Sequence, residues 1–208
     1  MLILCCLLIH AVKLHPKQII LMRHSEKKKS EKVHLSTKGR IRAEYFPVYL
    51  NDMIMKGLIQ RPNYLVAMKQ RSLTNSNRPY ETIEPLSKSG KKHLKIHNDF
   101  TADEVDKLVE SINDKSMEGK VVLVCWSHDN LPMIANKLGL SVNGWSSDGK
   151  SNDKKDFRTI WVLKNDHRYE KFESFKMFRI SDKDNIVYDS DIFQPVVTQD
   201  LGKNKFIM

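Results

Sequence analysis

Short apolar runs alternate along this chain with segments whose apolar residues recur at helical spacing. The first clear run, Gln18–Met22 (QIILM), ends at Arg23-His24. Apolar runs of about four to eight residues bounded by polar ones are strand-like. Tyr64–Met68 (YLVAM), after the turn-prone Arg61-Pro62-Asn63, is another, and so is Thr159–Leu163 (TIWVL). Val121–Trp126 (VVLVCW) contains no polar position, the pattern of a strand covered on both faces. Tyr169–Phe178 predicts an edge strand. Between these runs lie the helical patterns. Ser36 suits the N-cap of a helix running through Ile41, Tyr45 and Leu50, with Pro47 expected to kink it. Within Thr101–Asp114, Val105, Leu108, Val109 and Ile112 share one helical face, and Thr101 with Glu104 forms a capping box. Leu131–Leu138 predicts a helix closed by Gly139. Ser146–Asp156 is polar and glycine-containing, so it is expected as a surface loop or flap. The alternation as a whole predicts an α/β sheet.

Arg23-His24 and His128 each stand directly beyond a predicted strand. Ligands of open parallel sheets bind at the carboxyl ends of strands, where strand order reverses. Two histidines about a hundred residues apart are thereby placed to meet in one cleft.

Composition narrows the picture in a few respects. A chain of 208 residues has room for one sizeable α/β domain. Its formal charge of +10 attracts anions of any kind. The excess is scattered, however, over Lys27–Lys29, Lys88 with Lys91 and Lys92, and Lys154–Lys155, and no aromatic residues are interleaved with it. A solvated basic surface is therefore expected, and no nucleic-acid partner. Cys5, Cys6 and Cys125 make neither a disulfide framework nor a zinc spacing. Cys125 is expected as a buried inert thiol. His93 and His97 stand four apart, a metal-ligand spacing on a helix, but no carboxylate is in register with them and no metal site is expected. Met1–Val12 is apolar for about the length of a signal-peptide core, yet no basic residue precedes it and no clear cleavage site follows. It is too short for a stable membrane span. Residues 1–17 are read as an apolar extension or signal segment, residues 18–208 as the domain, and the cytoplasm as the expected compartment.

The chemistry begins at Leu21-Met22-Arg23-His24-Ser25-Glu26. Alone, the Arg-His pair could be a structural ion pair with Glu26. An ordered set follows it, however: Leu35-Ser36-Thr37-Lys38-Gly39-Arg40-Ile41-Arg42-Ala43, then Asn77-Arg78-Pro79-Tyr80-Glu81-Thr82, then Cys125-Trp126-Ser127-His128. Taken together these segments resemble the histidine phosphatase (phosphoglycerate mutase-like) superfamily. Its members show a strand ending in R-H-G-E, then L-[ST]-x-x-G-x-x-R-A at a helix start. An R-x-x-[EQ]-T segment opens another helix, and a second histidine follows a later buried strand. The match spans roughly Gln18 to Leu163. It implies a three-layer α/β/α sandwich with a mostly parallel central sheet.

The resemblance also implies roles. His24 is the nucleophile, its other ring nitrogen held by an acceptor such as a backbone carbonyl. Arg23 and Arg78 supply guanidinium forks to the phosphoryl oxygens, and His128 a further donor. These groups do the charge stabilisation that magnesium does elsewhere, so no cofactor is expected. Two carboxyl groups compete for the general acid. Asp129, directly after His128, is similar to the His-Asp pair of the acid-phosphatase branch. Glu104 lies where the mutase-like branch carries its acid, but the capping box already explains it, so Asp129 is favoured. Glu81 and Glu84 are expected to pair with lysines.

The chain departs from the pattern at Ser25, which stands where the family has glycine and either narrows the pocket or adds a hydroxyl contact. Lys27–Lys29 are either a solvated turn or a reach toward a second anionic group. The expected activity is hydrolysis of phosphomonoesters through a phosphohistidine, on a phosphorylated small molecule or a phosphoprotein. The alternative is a catalytically impaired protein that keeps the pocket to bind a phosphorylated ligand or partner.

Overall fold

A computed structural model describes residues 15–28, 30, 32–73, 75–165 and 170–200, so the apolar opening segment falls outside the described residues. Among the described residues, seven strands form one sheet in the order β3-β2-β4-β1-β5-β6-β9. They are β1 (Gln18–Arg23), β2 (Tyr64–Ala67), β3 (Ile96–His97), β4 (Val121–Trp126), β5 (Thr159–Asn165), β6 (Glu170–Lys176) and β9 (Val197–Asp200). A separate small ribbon pairs β7 (Arg179–Ile180) with β8 (Ile186–Val187). The helices are α1 (Thr37–Met55), α2 (Arg78–Lys88), α3 (Val105–Ile112) and α4 (Leu131–Lys137).

Strands β3, β2, β4 and β1 run parallel, which is the core expected from the sequence. From β1 outward through β5, β6 and β9 each pairing is antiparallel. Strand β6 is thus interior to the sheet, because β9 pairs along its outer side.

Both faces of the sheet are covered. Successive strand residues point to opposite faces, and in β1 Ile20 and Met22 pack with Phe46, Tyr49 and Met53 of α1 and Ile83 of α2. Ile19 and Leu21 face Leu108 and Ile112 of α3 and Leu131 and Ile134 of α4. Strand β4 alternates in the same way, with Leu123 and Cys125 on one side and Val122 and Val124 on the other. This double covering explains the unbroken apolar runs and gives a three-layer α/β/α sandwich.

Local chemistry sets the helix bounds. The Ser36 hydroxyl accepts from the Gly39 N–H at 3.1 Å, as an N-cap should, and α1 then runs on through Pro47. Helix α3 is shorter than Thr101–Asp114: residues 101–104 form a turn, and the N-cap is Glu104. Its carboxylate reaches back to the Thr101 N–H at 3.0 Å, so the Glu half of the expected box is present, but from the N-cap position and not from the third residue of the helix. Residues 93 and 97 share no helix, since Ile96–His97 is a strand and His97 stacks on Tyr64 at 4.2 Å.

From β1 the chain crosses to β2 on one side; from β4 it crosses to β5 on the other side of β1. The crevice at the carboxyl ends of β1 and β4 is therefore the place where a ligand is expected.

Candidate active site

The backbone brings the two histidines together. Strands β1 and β4 pair in register, with Arg23 opposite Trp126, and the His24 N–H donates to Trp126 O at 3.1 Å. His128 lies two residues beyond that point. Arg78 arrives from the first turn of α2, and its Nε donates to the Ser76 hydroxyl at 2.8 Å. His24 lies within electrostatic reach of Arg78, Arg23 and His128.

His24 is 3% exposed, and its Nδ1 lies 2.7 Å from Ser25 O. A carbonyl only accepts, so Nδ1 must carry the proton and Nε2 is left with its lone pair. Burial first, then the Arg78 charge, holds His24 well below the ordinary histidine range. The ring is neutral at physiological pH.

The loop that carries this carbonyl is pinned from below. The Ser25 N–H donates to Thr82 Oγ1 at 2.9 Å, and the Thr82 hydroxyl donates to Arg78 O at 2.7 Å. Thr82 thereby ties the segment after His24 to the helix that presents Arg78. Glu26 does not pair with Arg23. Both its oxygens are taken by the buried Arg42 of α1, at 2.9 and 2.5 Å. Gly39 is needed where α1 crosses this segment, because a Cβ there would stand 2.2 Å from Glu26 O. Glu81 accepts from the Leu35 N–H at 2.9 Å and pairs with His34 instead of a lysine. Glu84 does pair with Lys88.

Arg23 is 3% exposed and held by the loop that leads from α4 into β5. Its Nη1 donates to Lys154 O at 2.8 Å and to Asp156 O at 3.2 Å. Its guanidinium carbon stands 3.9 Å over the Phe157 ring. The loop itself is anchored by two tryptophans whose rings meet at a tilt of 51°: Trp145 Nε1 donates to Asp156 O and Trp161 Nε1 to Ser146 O. The polar Ser146–Asp156 segment is thus exposed over much of its length yet fixed at both ends. Burial and the neighbouring Arg78 bring Arg23 down to about 10, still charged at neutral pH.

Among the described residues, three buried polar atoms here have no hydrogen-bond partner: Arg23 Nε, Ser25 Oγ and His128 Nε2. An unmet buried polar group costs about 1–3 kcal/mol, so each of these atoms is free to bond a further group. His128 is pushed below the ordinary histidine value by burial and by Arg23, with Asp129 opposing.

Of the two candidate acids, Asp129 is exposed and places Oδ1 3.4 Å from His128 Nε2. It also lies close enough to Arg23 to act on its charge. Glu104 is occupied by Lys107 and by the Thr101 N–H and hydroxyl, which push it down to about 2. Of the lysines after His24, Lys27 is exposed, bridges to Leu35 and reaches His128 electrostatically. Lys29 lies outside the described residues. Ser127 bonds to Asn130, and Cys125 is fully buried with Thr82 as neighbour. The sequence reading missed the Ser25 and loop carbonyls, the Arg42–Glu26 pair and the contact of Phe157. Backbone acceptors leave no residue-type signal, whereas Arg42 stood in a segment already singled out and Phe157 directly after one.

Fold and side chains together define an α/β protein with two arginines and two histidines gathered at the carboxyl edge of its parallel strands. No family model matches the chain, and no curated protein matches it. Three solved structures are similar to it. One is a proposed phosphohistidine phosphatase SixA from Nakamurella multipartitia, at 14% identity over 88% of this chain and 95% of that one, with a TM-score of 0.42. Another is the protein histidine phosphatase SixA complexed with tungstate, at 14% identity over 72% and 88%, with a TM-score of 0.43. A third, a proposed SixA from Agrobacterium tumefaciens, matches at 13% identity over 76% and 95%, with a TM-score of 0.40. At such identities and scores the likeness does not extend to activity. No helix of the described residues is long and apolar enough to cross a membrane.

Proposed function

We propose that this chain is a phosphatase of the histidine phosphatase type, hydrolysing phosphomonoesters through a phosphohistidine on His24. One observation carries the reading: the buried His24 ring is fixed as the Nδ1-H tautomer by Ser25 O, within reach of the charges of Arg78 and Arg23, neither of which has an ion pair among the described residues. In the first step the Nε2 lone pair attacks phosphorus, and the bond to the leaving oxygen breaks. Asp129 protonates that oxygen. In the second step water attacks the phosphohistidine, the Asp129 carboxylate takes its proton, and the phosphorus–nitrogen bond breaks to release inorganic phosphate. Arg23, Arg78 and His128 stabilise the charge on the three equatorial oxygens, and the unmet Arg23 Nε and His128 Nε2 then gain a partner. The substrate is a phosphorylated small molecule or a phosphoprotein.

The test is hydrolysis of p-nitrophenyl phosphate in EDTA, with vanadate as inhibitor. His24→Ala should lose turnover, and a variant that keeps it ends the mechanism. Phosphate binding without turnover at any pH from about 4 to 8 would favour a pocket that only binds.

A further inference from the structure

A second groove adjoins the cluster across the Phe157 ring. It has a volume of about 230 Å³ and is lined by Glu26, Lys38, Arg42, Lys155, Phe157, Arg158, Arg179 and Ile180. Five of these side chains are cationic. Glu26 is fully engaged by Arg42, and Asp189 is shared between Arg158 and Arg179. Two carboxylates against five cations leave three positive charges over among these side chains, while the flanking Asp153 and Asp156 turn their carboxylates to N–H groups of Lys155, Arg158 and Thr159. Lys38 and Lys155 have no ion pair among the described residues.

Lys38 sits in the first turn of α1, where no acidic residue balances the helix dipole. Cations there are disfavoured, so the dipole and Lys38 add to one positive potential over the groove. The groove on the other side of the cluster differs: it is lined by Lys69 and by Arg71, which Asp103 neutralises. The surplus charge therefore lies on the Phe157 side. The groove is smaller than the roughly 300–1,000 Å³ of sites that enclose whole ligands, so it suits one anionic group.

Resting on the phosphatase reading above, we propose that this groove is an anion subsite. It selects small phosphomonoesters that carry a second anionic group, phosphate or carboxylate, on the part that leaves. The phosphoryl group sits between Arg23 and Arg78, and the second anion lies past Phe157 against Lys38, Lys155 and Arg179.

The test compares kcat/KM of the full chain on propyl phosphate, 1,3-propanediol bisphosphate and 3-phosphonooxypropanoate; the last two separate a phosphate from a carboxylate tail. At least one of them should exceed propyl phosphate by about tenfold, mainly through KM. Lys38→Gln with Lys155→Gln should bring that ratio close to one, Lys155→Glu should invert it, and Lys69→Gln should keep it. A ratio near one in the unaltered protein, or one that survives the double substitution, overturns the subsite. Calorimetry on His24→Ala separates the two claims. Tighter binding of the bisphosphate than of propyl phosphate by His24→Ala, when the unaltered protein turns over neither, sinks the phosphatase reading and leaves the subsite standing. Turnover without preference does the reverse.

Discussion

The guanidinium of Arg23 lies 3.9 Å over the ring of Phe157, and the same ring stands 6.1 Å from His24, tilted by 49°. One aromatic side chain thus touches both the arginine and the histidine on which the proposed chemistry depends. Stacking of this kind fixes a guanidinium plane and excludes water.

Phe157→Ala should lower kcat/KM on p-nitrophenyl phosphate by about ten- to a hundredfold, since small misplacements near the reacting atoms are costly. It should also move the acidic limb of the pH profile upward, because burial is the largest cause of the low His24 value. Phe157→Tyr should retain most activity and leave the limb in place. A limb unmoved in Phe157→Ala would reduce the ring to packing.

Histidine titration also bears on stability. His24 is buried neutral, so its folded pKa lies below the unfolded value of about 6.5. Below that pH the unfolded chain binds more protons, and stability falls as pH falls until the folded value is passed. Urea midpoints measured from pH 7 downward should show this slope, and His24→Asn should flatten it. An unchanged slope would assign the acid sensitivity to other groups.

The two carboxyl candidates separate by leaving group. Asp129→Asn should cost about a hundredfold or more in kcat on alkyl phosphates, whose alkoxide needs a proton. On p-nitrophenyl phosphate, whose phenolate leaves unaided, the loss should be much smaller. Glu104→Gln should leave both rates alone, because its carboxylate is committed to Lys107 and Thr101. The reverse pattern in rapid-quench kinetics would transfer the role to Glu104.

Gly39→Ala should destabilise the protein by about 1–3 kcal/mol, the usual cost of forcing an extra methyl into a packed contact. The obstacle is the Glu26 carbonyl at 2.2 Å, which is backbone and held by the Ser36 N–H at 2.9 Å. A melting temperature within a degree of the parent would mean that α1 can shift at no cost.

Much of this arrangement was readable from the chain itself. Strand β4 was delimited to the residue because an apolar run buried on both faces has no polar position to blur its ends. Ser36, Gly39, Arg78, Thr82 and His128 stood at spacings that one fold explains. Helix α3 came out short because the sequence pattern could not tell an N-cap at Thr101 from a turn closed by the Glu104 carboxylate. Which element shields the edge of β6 depended on pairing with β9, over 20 residues further on, and no local periodicity carries that.

By itself, then, the sequence determined the α/β alternation and the identity of the arginines and histidines, since side-chain periodicity and motif order are local properties. The tertiary structure decided what each of them touches. The proton of His24 is set by the carbonyl of Ser25, the posture of Arg23 by the carbonyls of Lys154 and Asp156, and the fate of Glu26 by Arg42. Backbone acceptors are the same in every residue, and contacts across more than a hundred positions exist only once the sheet has closed. For that reason the two arginines and two histidines could be named from the chain, while the groups that hold them could not.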